Sequence, residues 1–183
     1  MTNADPNSLD LPRDDDAVRA RHDKVLVNLS PTKATGELLL IQRKLARANA
    51  ISTITNRLDL EYTVARLART LTHTDETLDL IAHSADHVLQ FADWSIKDDD
   101  VLRLFCERTK PHLQRYRALR LIGCGVASSD EGQRAMSAMQ ALLGIPVQGT
   151  EVLVSLDQFS DTGYTGGHLV TARRLELRGD RFP

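Results

Sequence analysis

Apolar and polar positions along the chain alternate between two periods. Short apolar runs mark strands at residues 24–30 ("KVLVNLS"), 51–55 ("ISTIT"), 76–84 ("ETLDLIAHS") and 118–124 ("ALRLIGC"). Between them the spacing turns helical. "GELLLIQRKLARANA" (36–50) brings Leu38, Leu39, Ile41, Gln42 and Leu45 toward one side. Residues 58–73 do the same with Leu60, Val64, Leu67, Ala68 and Leu71. "KDDDVLRLFCERTKPHL" (97–113) opens with an acidic first turn suited to the helix dipole, and Pro111 ends or kinks it. "SSDEGQRAMSAMQALLG" (128–144) is a helix with Ser128 or Ser129 as cap and Gly144 as stop.

The remaining segments are shorter. "HVLQFADWSI" (87–96) reads as a small hairpin or extended arm, with Trp94 as the residue that anchors it to the body. "IPVQGTEVLV" (145–154) reads as a strand pair or strand-turn, and residues 168–179 as a last edge strand. Strands alternate with helices four times, which predicts an α/β domain with a mostly parallel central sheet and helices on both faces. Residues 1–22 are rich in Asp, Asn, Pro and Arg without a usable period. They read as a flexible acidic N-terminal arm, so the folded domain spans 23–183.

Composition narrows the function classes. The chain of 183 residues is 42% hydrophobic, 26% charged and only 4% aromatic, so the core rests on Leu, Ile, Val and Ala. A net charge of -2 lacks the basic footprint of a nucleic-acid binder. The basic residues Arg108, Lys110, Arg115, Arg117 and Arg120 read as a solvated helix end. No apolar run reaches membrane-spanning length, and the polar N-terminus carries no signal-peptide pattern, so no membrane association and a cytoplasmic location are expected. There Cys106 and Cys124 stay free thiols.

In open α/β sheets, sites form at the carboxyl ends of strands. His83 ends the third strand and Cys124 the fourth, which makes them candidates for a base and a nucleophile at one sheet edge, the alternative being a structural cysteine buried as a small hydrophobe. The helix that follows Cys124 favours its thiolate. Backbone amides near Gly125 can face a developing oxyanion. Asp86 or Asp93 could orient His83, and His87 falls near the cleft. His83 and His87 have the i, i+4 spacing of zinc ligands, but the flanks read as strand and loop and no third ligand is evident, so neither metal nor cofactor is expected. The loop 155–167 is rich in Gly, Ser and Asp without a phosphate-loop pattern, and reads equally as a cleft loop or an ordinary surface loop.

"LDLIAHSADHVLQFADWSI", a helix, and then "LRLIGCGVASSDEGQRAMSAMQALLGIPVQGT" resemble the caspase-like cysteine peptidase superfamily, in particular bacterial CHAT-like domains. The resemblance covers about residues 78–150. It implies a three-layer caspase-like sandwich in which an apolar strand runs into a catalytic His. A β-arm and a helix follow, then a strand that ends in the catalytic Cys. It assigns His83 as base and Cys124 as nucleophile, with Gly125 at the small position after the Cys. Ser84 stands where the superfamily favours Gly, whose amide serves the oxyanion site. Asp86, His87 and Gly123 then line the substrate cleft. The implied activity is cleavage of a protein or peptide substrate, beside a partner effector protein. The alternative is an inactive caspase-like domain that binds or regulates a partner. A flavodoxin-like or receiver-like module competes at the level of fold. A receiver needs an acidic cluster at strand ends, which Asn28 and His83 do not supply.

Overall fold

The computed structural model describes residues 24–27, 36–45, 51–54, 56–69, 71, 77–91, 94–97, 99–160 and 163–173. The expected acidic arm, Asn28 and Asp93 lie outside them. The chain is α/β, built on a mixed sheet of mostly parallel strands. In chain order its strands and helices are β1 (Lys24–Val27), α1 (Gly36–Lys44), β2 (Ile51–Thr53), α2 (Arg57–Arg69) and β3 (Thr77–Ile81). Then come β4 (Ser84–Ala85), β5 (Val88–Phe91), β6 (Trp94–Ser95), α3 (Asp100–Leu113) and β7 (Ala118–Ile122). The last are α4 (Asp130–Leu143), β8 (Val147–Thr150), a 3-10 turn at Leu156–Gln158 and β9 (Leu169–Thr171).

Among the described residues, six strands form one sheet in the order β2-β1-β3-β7-β8-β9. The first five run parallel to their neighbours, and β9 runs antiparallel to β8. β3 (TLDLI) and β7 (ALRLI) are buried at every position, as strands at the centre of a sheet covered on both faces should be. Their side chains alternate between two faces. Leu78, Leu80, Leu119 and Leu121 join a core with Leu60, Val64 and Leu67 of α2, Leu102 and Phe105 of α3, and Met136 and Met139 of α4. Ile81 and Ile122 face the other way, into a smaller cluster with Leu38, Ile41 and Leu45 of α1 and with Phe159 and Tyr164.

Local chemistry sets the helix ends. Asp99 caps α3 by accepting the Leu102 N–H at 2.8 Å. Of the two serine candidates it is Ser129 that caps α4, accepting the Gly132 N–H at 3.0 Å. Gly144 closes α4 in the left-handed conformation. Pro111 sits inside the last turn of α3, which ends at Leu113. On α1, Leu38, Ile41 and Leu45 are buried while Leu39 is exposed, so the buried stripe is narrower than the sequence spacing indicates.

One sequence expectation is extended and another changes. The hairpin expected at 87–96 is present as the antiparallel pair β5–β6, and β4 extends it to a three-stranded meander over 84–95. Trp94 is buried in it and packs 5.1 Å from the Phe105 ring of α3, which is the anchoring role expected of it. Arg120 does not belong to a solvated helix end. It is a buried residue of β7, paired with Asp79 of β3.

Cys106 is fully buried on α3, and burial, with the Glu107 charge as a lesser cause, pushes its thiol up to about 12. The folded chain therefore holds this proton more tightly than the unfolded one does. The associated stability is complete below the ordinary thiol value of 9.0 and is lost as pH rises toward about 12. The loss approaches at most about 1.4 kcal/mol per pH unit for one group. Urea midpoints across that window should fall less steeply in Cys106→Ala than in the parent. Parallel curves would remove Cys106 as the source.

Candidate active site

The parallel register of β3 and β7 pairs Thr77 with Ala118 and Ile81 with Ile122. The ladder runs one step beyond the strands, because the Ala82 N–H donates to the Ile122 carbonyl at 3.1 Å. His83 and Cys124 follow Ala82 and Gly123 in the two loops that leave these strands. Both His83 and Cys124 are half-buried, and both line one small hollow at the carboxyl edge of the sheet. Leu38, Ile41, Ile81, Ile122 and Val154 complete most of its wall.

The described loops after β3, β7 and β8 are tied to one another at this edge. The Gly123 N–H donates to the Thr150 hydroxyl at 3.1 Å, and that hydroxyl donates back to the Gly123 carbonyl. The Ser84 hydroxyl donates to the Cys124 carbonyl, which joins the loop after β3 to the loop after β7. The Val154 N–H points at the Cys124 sulfur at 3.4 Å. Gly125 has a φ of +62°, a left-handed conformation that suits glycine and turns the chain from the strand toward α4.

The Gly125 N–H donates to the Val152 carbonyl at 2.9 Å. In this conformation that amide is therefore engaged, whereas the sequence reading gives it to a developing oxyanion. Ser84 opens β4 opposite Leu89. Asp86 and His87 form the two-residue turn between β4 and β5, with φ of 51° and 62°. Both angles are positive, as a tight turn matching the strand twist requires. Asp and His are among the non-glycine residues that tolerate them best. Asp86 is exposed at the tip. The His87 Nδ1 lies 3.1 Å from the Ser128 hydroxyl, which itself donates to the Gly125 carbonyl at 2.7 Å. The one hydroxyl proton is thus taken, so Nδ1–H is the donor in the His87–Ser128 contact.

The structure brings His83, Ser84, Gly123, Cys124, Gly125 and His87 into one region, with Asp86 at its rim. Among the described residues no group of three His, Cys, Asp or Glu side chains converges on a point that could hold a metal. No described helix is long and apolar enough to cross a membrane. Sequence reasoning missed Thr150, Val154, Leu38 and Ile41. The helical spacing marks Leu38 and Ile41 as inward-facing, but nothing in the sequence says that they reach this edge. Thr150 and Val154 come from a strand end and a loop with no motif of their own. Comparison with family models, with curated proteins and with solved structures returns no match to this chain.

Proposed function

We propose that this chain is a caspase-like cysteine endopeptidase with a three-layer fold, and that it cleaves a protein or peptide partner through a His83–Cys124 dyad. One observation carries the reading. His83 and Cys124, both half-buried, line one hollow at the carboxyl edge of the sheet, just past the paired ends of β3 and β7. The order of elements supports it as well: strand, His83, β-meander, helix, strand, Cys124, helix.

In this mechanism His83 accepts the Cys124 thiol proton and the thiolate attacks the scissile carbonyl. His83 returns the proton to the departing amine, leaving an acyl-thioester on Cys124. His83 then takes a proton from water as that water attacks the thioester, and gives it to the Cys124 sulfur as the acid departs. Backbone N–H groups at Ser84 and at Cys124–Gly125 are the donors for the oxyanion. Use of the Gly125 N–H requires its bond to the Val152 carbonyl to be exchanged for one to substrate.

The second reading, a caspase-like domain that binds or regulates a partner without catalysis, is favoured by that same engaged Gly125 amide and by the Val154 N–H on the Cys124 sulfur. Labelling with an electrophilic peptide probe separates the two. The enzyme reading expects labelling lost in Cys124→Ala and kept in Cys106→Ala, with His83→Ala strongly slowed. Equal labelling of the two cysteine variants counts against it.

A further inference from the structure

We infer that the hollow beside Cys124 receives the substrate side chain next to the scissile bond, and that this side chain is aliphatic. The inference rests on the reading of Cys124 and His83 as nucleophile and base, and it adds the chemical class of the substrate.

Three parts of the fold build the wall. α1 supplies Leu38 and Ile41, the ends of β3 and β7 supply Ile81 and Ile122, and the loop after β8 supplies Val154. Apart from the dyad itself, every described side chain on this wall is aliphatic or absent. A carboxylate or ammonium entering here would shed its water against these described aliphatic side chains, which offer it no opposite charge, and that is strongly unfavourable. An aliphatic group entering would leave water for matching apolar surface.

The charges nearest in the sheet do not alter this. Asp79 and Arg120 project on the same face as Ile81 and Ile122, two residues earlier in each strand. Each is spent on the other: the Arg120 Nε donates to Asp79 Oδ1 at 2.5 Å and the Nη2 to Oδ2. The Ile81–Ile122 pair lies between them and the dyad. A substrate residue whose carbonyl is attacked at Cys124 keeps its side chain within a few bonds of that sulfur, and the aliphatic wall is the surface it meets.

The test uses the full chain and a matched set of tripeptide fluoromethyl ketones that differ only in the residue beside the reactive carbon: Leu, Asp, Arg or Gly. Labelling rates of Cys124 are followed by mass spectrometry. The Leu probe should exceed the Asp and Arg probes by roughly 100-fold or more, the discrimination expected when a charge is buried unpaired. Val154→Asp places a carboxylate on the wall and should raise the Arg-to-Leu rate ratio by roughly 10-fold or more. Because the ratio is taken within one variant, altered thiol reactivity cancels. Val154→Phe, which fills the hollow, should bring the Leu rate down toward the Gly rate. An Asp or Arg probe that matches or outruns Leu overturns the aliphatic assignment while leaving Cys124 as nucleophile. Unchanged ratios in both Val154 variants overturn it too. Labelling no faster than in Cys124→Ala, for every probe, overturns the dyad reading and the assignment with it.

Discussion

Replacing Arg120 with Met is expected to destabilise the fold by roughly 3–5 kcal/mol, the usual cost of removing one partner from a buried ion pair. Asp79 and Arg120 stand directly opposite each other on β3 and β7, at the centre of the sheet. Asp79 is 0% exposed and Arg120 only 7%. The guanidinium grips the carboxylate through two parallel bonds, a geometry that Lys cannot reproduce. With Met at position 120 the carboxylate keeps its burial and loses that compensation. Removing both charges together is a different matter, since an apolar pair of similar volume is often neutral or better. Asp79→Leu combined with Arg120→Met should therefore recover most of the loss. Urea unfolding of the two single variants and the double variant checks this. If Arg120→Met costs less than about 1 kcal/mol, the range of an exposed salt bridge, the pair is not the buried linchpin that its geometry indicates.

This pair also shows where sequence reasoning reached its limit. The apolar runs at 76–84 and 118–124 were enough to mark β3 and β7, and consecutive strands of an alternating α/β pattern are expected to be neighbours. The placement of His83 and Cys124 at one edge of the sheet was legible on that basis. Arg120, by contrast, follows Arg108, Lys110, Arg115 and Arg117, and composition alone assigns it to the same solvated end. Only the register identifies Asp79 as the partner that permits its burial. The meander was partly hidden for another reason. Its β4–β5 turn uses Asp86 and His87 at positive φ, without the Asn-Gly or Asp-Gly pair that signals such a turn. The hollow was illegible because its wall is assembled from α1, two strand ends and the loop at Val154, and no local pattern encodes a meeting of distant segments. The amide of Gly125 belongs here too. Its glycine identity suggests close approach of substrate, and the bond to the Val152 carbonyl depends on where the chain after β8 returns.

Gly132→Ala is expected to destabilise the protein by about 3 kcal/mol or more, at or beyond the upper end of ordinary overpacking. On helix propensity alone the change should help, since Ala is favoured over Gly in a helix by roughly 1 kcal/mol. Packing reverses the sign. A Cβ at position 132 would lie 1.8 Å from the Val126 carbonyl oxygen and 2.9 Å from that of His87. Both are backbone atoms, so no rotamer change relieves the contact. The loop 123–128 or the turn at Asp86–His87 has to move, and each is fixed by the bonds among Ser128, His87 and Gly125. The Gly132 N–H is also the one held by the Ser129 cap, so shifting α4 away would break the start of that helix. Gly36→Ala is the matched control: a Cβ there meets no atom of the described residues within 4 Å, and its effect should be within about 0.5 kcal/mol of zero. Thermal or urea unfolding of the two variants separates the cases. If Gly132→Ala is as stable as the parent, the close approach of α4 to the loop that carries Cys124 is wrong. If it is destabilised yet folded, the shifted loop should also slow labelling of Cys124, because the displaced segment follows the sulfur-bearing residue directly. That coupling ties the packing of α4 to the geometry at the carboxyl edge of the sheet.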